Sequence, residues 1–162
     1  MRALDHLETL APPWVHLVVL APGEETETVL RAPRDFAIRL IDGRRARSKG
    51  AFIEELVRAF HCPPSTGRNW DAIEECLADL EWLPARGYAL VIAHAEELLA
   101  ESDADYRTFI ALANDVAREW AAPRDGQWPR AAVPFHVDLA VAEGQVTARA
   151  DWGVPRLARE GG

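Results

Sequence analysis

Hydrophobic residues recur along the chain with two periods, and each period predicts a different kind of element. Short apolar or alternating runs predict strands. Four such runs occur: WVHLVVL at 14–20, FAIRLIDG at 36–43, YALVIAHA at 88–95 and VPFHVDLAVA at 133–142. The last run is followed by EGQVTARA, which we predict to fold back on it as a hairpin.

Apolar residues at three- and four-residue steps predict three helices between the strands. Ser48 is a suitable N-cap for the first helix and Asn69 for the second, and CPPSTG interrupts the chain between them. The third helix is predicted over 103–121. The residues predicted to face the core are Phe52, Ile53, Leu56, Val57 and Phe60 in the first helix, Trp70, Ile73, Leu77 and Leu80 in the second, and Phe109, Ile110, Ala113, Val116, Ala117 and Trp120 in the third.

From residue 36 onward the order is strand, helix, helix, strand, helix, strand, which predicts an α/β fold. We expect a small two-layer or three-layer domain with a largely parallel sheet of about three core strands, joined by right-handed crossovers. Residues 1–34 are predicted to be an N-terminal extension, in which a short helical piece ends at Pro12 and Pro13 and a strand follows. Residues 142–162 are predicted to be a C-terminal extension or tail.

The second predicted helix carries an unusual set of charges. Its acidic residues are Asp71, Glu74, Glu75, Asp79 and Glu81, and no Lys or Arg lies between Trp70 and Trp82. Asp71 near the start of the helix is also favoured by the helix dipole. Like charges one turn apart cost a helix some stability, whereas Glu–Lys pairs would support it. The pattern therefore indicates either a solvated face or a surface that meets a basic partner.

The overall charge of the chain indicates which classes of molecule it can bind. The chain has 162 residues, a formal net charge of −8 and a sequence pI of about 5.1. Nucleic-acid binding needs a basic footprint, so we expect no direct nucleic-acid partner and favour a basic protein. The N-terminal segment has neither the basic start nor the unbroken apolar run of a signal peptide, and its apolar run is too short to cross a membrane. We therefore predict a cytoplasmic protein that contacts no membrane.

The cysteines and histidines suggest no cofactor or metal. Cys62 and Cys76 are predicted to be reduced thiols, with Cys76 in the core and Cys62 facing solvent at a helix end. A metal site would require His94, His136 and Asp138 to converge with Asp71 or Glu75. Buried, hydrogen-bonded histidines are the more common arrangement, so we predict neither a metal nor another cofactor.

The order of elements and the segment from Asp42 to Leu77 resemble the family of barstar, the intracellular inhibitor of the ribonuclease barnase. The resemblance covers roughly residues 36–140, and residues 35–141 are assigned to the barstar-like domain. The positions that carry it without a gap are Asp42, Gly43, Ser48, Pro63, Gly67, Asn69, Asp71, Ala72, Cys76 and Leu77.

The resemblance implies an inhibitor rather than an enzyme, one whose second helix and preceding loop plug a ribonuclease active site with carboxylates. Asp71 matches one of the family's two central acids, and Glu75 stands where the other is an aspartate. Asp115 is implied as a contributing carboxylate from the later helix. The full set of implied contact residues is Ser65, Thr66, Gly67, Asn69, Asp71, Glu74, Glu75, Asp79 and Asp115.

Three hypotheses about function follow. The first is a cytoplasmic inhibitor, monomeric when free, that blocks a basic ribonuclease of the barnase type. The second is a barstar-like interaction module that binds another basic protein without ribonuclease activity, such as a toxin (immunity-type) or a regulatory subunit. It is motivated by Ser65 and Glu74, which stand where the family has aromatic contact residues. The third is a metal-dependent hydrolase using Asp71, Glu75, His94 and His136.

Overall fold

Four parallel strands form a single sheet in the computed structural model, which describes residues 5–26 and 33–159. The strands are β1 (Val15–Leu20), β2 (Phe36–Asp42), β3 (Gly87–Ala93) and β4 (Phe135–Ala142). They lie in the order β1-β4-β3-β2, and all three pairings are parallel. This confirms the predicted parallel α/β fold. The strand of the N-terminal extension is a full member of the sheet, beside β4.

Three α-helices connect the strands: α1 (Lys49–Ala59), α2 (Trp70–Asp79) and α3 (Asp103–Ala121). Local capping fixes where each begins. The side chains of Ser48, Asn69 and Ser102 accept hydrogen bonds from backbone N–H groups three residues further on. The predicted caps of α1 and α2 are therefore confirmed. None of the helices in the described residues has the length and apolar character that crossing a bilayer requires.

Strands β1, β3 and β4 are buried on both faces, which explains why they read as nearly continuous apolar runs, whereas the edge strand β2 is only partly buried. Tyr88, Leu90 and Ile92 of β3 point toward the helices and join the main core, as do Phe135 and Val137 of β4. The alternate residues point to the opposite face. There the described cover is the short 3₁₀ segment Asp5–Glu8, which brings in Leu7, and Leu157 near the C-terminus.

The predicted C-terminal hairpin is wrong. Residues Glu143–Ala148 form a 3₁₀ helix instead. Because β4 already has β1 on one side and β3 on the other, no edge remains where a returning strand could pair with it.

The prediction of reduced thiols, with Cys62 facing solvent, is also wrong. Cys62 and Cys76 form a disulfide, and both residues are buried. The chain turns back after α1, so Cys62 comes to lie against the inner face of α2 with a Cα–Cα separation of 6.2 Å. That separation lies within the range a disulfide spans.

Candidate functional site

Carboxylates from two helices lie close together on the surface of the molecule. We call them the acidic surface; they are Asp71, Glu74, Glu75 and Asp79 of α2, and Asp115 and Glu119 of α3. Glu74, Glu75, Asp79 and Glu119 line a groove there. The two helices are held together by the buried Trp120, whose Nε1 donates to the carbonyl oxygen of Leu77 at 2.8 Å. The acidic surface therefore sits on a rigid pair of packed helices.

The sequence of α2 separates its apolar residues from its charged ones. Ile73, Cys76 and Leu77 are buried against the core. Asp71, Glu75 and Asp79 recur every four residues and are on the solvent side, because four-residue steps keep side chains on one helix face. The core anchors one side of the helix and leaves a row of carboxylates on the other.

Glu74 is half-buried between the two rows of acids. Burial raises the pKa of its carboxyl group, and the neighbouring charges of Asp115, Asp71, Glu119 and Glu75 raise the pKa further. The four acidic neighbours show that charges of one sign are concentrated around Glu74. Such a site favours a ligand that brings positive charge.

Intramolecular cations neutralise only part of the acidic surface. Arg118 pairs with Asp115 at 2.8 Å and Arg124 with Glu119 at 3.2 Å, both in exposed positions where ion pairs contribute little. The four carboxylates of α2 form no ion pair with any other residue in 5–26 and 33–159. Their charge is available to a partner.

The loop before α2 is held in place by short-range hydrogen bonds. The hydroxyl of Thr66 donates to the carbonyl oxygen of Pro63 at 2.6 Å, and Asn69 caps α2 at 2.8 Å. Arg68 is paired with Glu54 of α1 at 2.6 Å. Ser65 is exposed, at the outer end of this loop.

Gly67 is closely packed against the start of α2. A Cβ atom at this position would lie 2.9 Å from Nδ2 of Asn69 and 3.2 Å from Cβ of Ala72. The first contact is closer than real Cβ atoms tolerate, so any side chain here would press on the residue that caps α2.

The disulfide closes the loop covalently. Cys62 and Cys76 are 14 residues apart, and the ring they close contains Ser65, Thr66, Gly67, Asn69 and Asp71. Closing a ring of this size removes freedom from the unfolded chain and contributes about 3 kcal/mol to stability. The loop and the first turns of α2 thus form one constrained unit.

Sequence reasoning missed three residues of this region. Glu119 follows Asp115 by four residues, a spacing that could have placed it on the same face. Arg124 comes from the segment after α3, for which the sequence offers no such signal. Trp128 is 75% exposed and lines a second groove, which shares Asp79 and Arg124 with the first.

The residues proposed for a hydrolase site do not come together. His136 pairs in register with Ala89, five residues before His94, so the two histidines lie roughly 16 Å apart along the strands. His136 and Asp138 point to the sheet face opposite the helices, whereas Asp71 and Glu75 lie on α2. The register of the sheet therefore keeps apart the residues on which the hypothesis of a metal-dependent hydrolase depends.

Comparison with known protein families identifies the family of this chain. Residues 36–140 match the family model described as Barstar (barnase inhibitor). No curated protein matches the chain. The matched range begins with β2 and ends within β4, so it contains the loop, α2 and α3 but not β1.

Proposed function

Because this chain belongs to the barstar family, we propose that it is an inhibitor that blocks the active site of a basic ribonuclease with its acidic surface. The observation that carries the proposal is the row of α2 carboxylates without an ion-pair partner among the described residues. The protein would act by binding, as a free monomer that meets its partner, and without catalysing a reaction or contacting nucleic acid or membrane directly.

The chemistry of a ribonuclease site supports this assignment. Such a site holds phosphates with cationic side chains, and carboxylates on a rigid helix can occupy the same positions. Charge-assisted hydrogen bonds between Arg and carboxylate are among the strongest in proteins, above all in a desolvated cleft. For barnase–barstar itself, close charge pairs couple by about 1.5–7 kcal/mol, a scale that was measured on that complex and not on this chain.

We assign the central contacts to Asp71 and Glu75, which lie one turn apart on the solvent side of α2. Glu74, Asp79 and Asp115 extend the negative field along the groove. The loop residues Ser65, Thr66, Gly67 and Asn69 would contact the rim of the partner's cleft. Rigid backbone at such a contact limits the entropy lost on binding.

The test is titration calorimetry against a panel of basic ribonucleases that includes barnase, with RNA cleavage measured in parallel. We expect a one-to-one complex that abolishes cleavage. Asp71→Asn and Glu75→Gln keep the side-chain shape and remove the charge, and each should weaken the complex at least about 30-fold, or about 2 kcal/mol.

The matched control is Glu101→Gln, which removes an exposed carboxylate that lies just before α3 and outside the acidic surface. It should leave the affinity within about twofold of wild type. Equal affinities for the wild type and both α2 variants, with the fold intact by circular dichroism, would contradict the assignment of the site.

A second candidate is an immunity-type module that binds a basic toxin without ribonuclease activity. It is favoured by Ser65 and Glu74, because a serine and a glutamate offer less anchoring area than the aromatic residues of the family. Absence of binding to every ribonuclease in the panel, followed by affinity capture of a basic non-nuclease partner that the Asp71→Asn variant fails to retain, would favour this candidate.

A further inference from the structure

Four ionisable side chains are buried together on the sheet face opposite the helices. His6 comes from the N-terminal 3₁₀ segment, His16 from β1, and His136 and Asp138 from β4. Their exposed fractions are 8%, 7%, 0% and 2%. Burial of polar groups is costly unless each finds a partner, so this group, which we call the histidine cluster, requires an explanation.

The side chains of the histidine cluster are in direct contact. Nε2 of His6 lies 2.8 Å from Oδ2 and 3.0 Å from Oδ1 of Asp138. The ring centroids of His6 and His16 are 5.1 Å apart, and those of His6 and His136 are 5.8 Å apart. One ligand atom from each of His6, His16 and Asp138 falls within 4.8 Å of the others.

The hydrogen bonding of the histidine cluster is incomplete. Nδ1 of His6, of His16 and of His136 is buried, and none of the three has a hydrogen-bond partner in the described part of the chain. Nε2 of His136 donates to the carbonyl oxygen of Thr9 at 2.8 Å, which fixes the orientation of that ring beside His6. The unpartnered nitrogens of His6 and His16 are the ones that could ligate a metal ion.

We propose that His6, His16 and Asp138 bind a divalent transition-metal ion of the zinc class, with water in the fourth position. Imidazole nitrogen and carboxylate oxygen are zinc ligands at about 2.0–2.2 Å. Tetrahedral coordination at that distance needs ligand atoms about 3.4 Å apart. Side-chain rotations that move these atoms by about an ångström would bring atoms within 4.8 Å of one another to that separation.

The charge of the histidine cluster is compatible with metal binding. The negative charge of Asp138 would offset part of the ion's charge in this buried site.

The role of the site follows from its position. Its ligands come from the N-terminal 3₁₀ segment and from two neighbouring strands, so the ion would fasten that segment to the sheet. It lies on the opposite face from the acidic surface. The ion would therefore be structural, and its binding would be independent of the proposed inhibitory function.

The test uses the full chain without an affinity tag, stripped with a chelator and titrated with Zn²⁺ against a chromophoric competitor. We expect one equivalent to bind with a Kd in the micromolar range or tighter. At 100-fold excess over Kd the melting temperature should rise by about 5–10 °C. Co²⁺ should give the intense visible absorption of a tetrahedral nitrogen and oxygen site, a readout that needs only the wild type.

His6→Asn and His16→Asn should each abolish the bound equivalent. The matched control is His94→Asn, which removes an exposed histidine outside the cluster; its φ of 50° is one that asparagine tolerates. Loss of binding in the control as well would assign the metal to surface histidines and overturn the proposal. Absence of both Zn²⁺ binding and the Co²⁺ spectrum in the wild type would also overturn it, whether or not the variants fold.

Discussion

Glu74 combines partial burial with four like-charged neighbours, and both influences raise the pKa of its carboxyl group. An acid whose pKa is raised by folding destabilises the folded state once it is ionised. The penalty is absent below the ordinary pKa of 4.5 and develops fully above the raised value. The fold therefore tolerates a cost at neutral pH that the proposed partner would relieve.

Glu74→Gln should remove that cost. We expect the free energy of unfolding to rise by about 0.5 kcal/mol at pH 7, since each like-charge pair on a helix costs a few tenths of a kcal/mol. The gain should disappear below pH 4.5, where the wild-type side chain is itself neutral. Urea denaturation at the two pH values measures the difference, and Glu101→Gln is the control.

The same substitution should weaken the proposed complex, because it removes a charge from the surface that meets the partner. A gain of stability together with a loss of affinity distinguishes a functional carboxylate from a structural one. If Glu74→Gln destabilises the free protein at pH 7, the repulsion described for this residue is not its dominant interaction.

Capping residues could be predicted from the sequence, whereas the surroundings of Glu74 could not. Ser48 and Asn69 act on backbone groups three residues away, so the signal is contained in the local sequence. The repulsion at Glu74 depends on Asp115 and Glu119, which are more than 40 residues away in sequence and meet it only through helix packing.

The junction between the loop and α2 depends on Gly67, because a side chain there would press on the capping Asn69. Gly67→Ala should destabilise the protein by about 1 kcal/mol, the usual cost of a lost N-cap. The affinity for the partner should fall as well. Thermal or urea unfolding checks the first effect and calorimetry the second.

Gly50→Ala on α1 is the matched control for that change. Nothing lies within 4 Å of a Cβ added at Gly50, and alanine favours a helix over glycine. This substitution should stabilise the protein by up to about 1 kcal/mol, the opposite sign. Equal effects of the two substitutions would show that packing at Gly67 does not constrain the loop.

At the level of elements, the hydrophobic periodicity predicted where the strands and helices occur in the chain. It did not predict which strands lie next to one another in the sheet. The run at 14–20 predicts a strand, but its partner β4 lies some 120 residues away in sequence. The predicted hairpin at 143–150 was wrong for the same reason. Whether a strand can pair there depends on which edges of the sheet are free, and the local pattern carries no information about that.

At the scale of the molecule, a net charge of −8 and a surface rich in carboxylates should attract a basic partner over distance. We expect the association rate to fall about tenfold or more between roughly 20 and 300 mM salt, because screening shortens the range of the field. The dissociation rate should change much less. Stopped-flow measurements across this range separate the two rates.

Asp71→Asn should reduce the salt dependence of association, and Glu101→Gln should reduce it less, since the second charge lies away from the acidic surface. An association rate that is insensitive to salt would contradict steering by this field. The complex would then owe its affinity to short-range contacts alone.

The histidine cluster is also a property of the whole molecule, because its residues come from distant parts of the chain. His6, His16 and His136 are isolated in sequence, and no spacing among them matches a metal-binding motif. The parallel pairing of β1 with β4 brings two of them together, and the N-terminal 3₁₀ segment adds the third. From sequence, His136 and Asp138 were considered only together with His94, because the hydrophobic pattern alone does not specify sheet order or register.

The disulfide between Cys62 and Cys76 should hold the chain together after a protease has cut the loop between them. The exposed loop residues that we assign to partner contact are natural cleavage sites. A single cut anywhere between the two cysteines would still leave both ends attached through sulfur. The nicked protein would stay in one piece until a reductant was added, and the contact residues would stay tethered to the helices that present them.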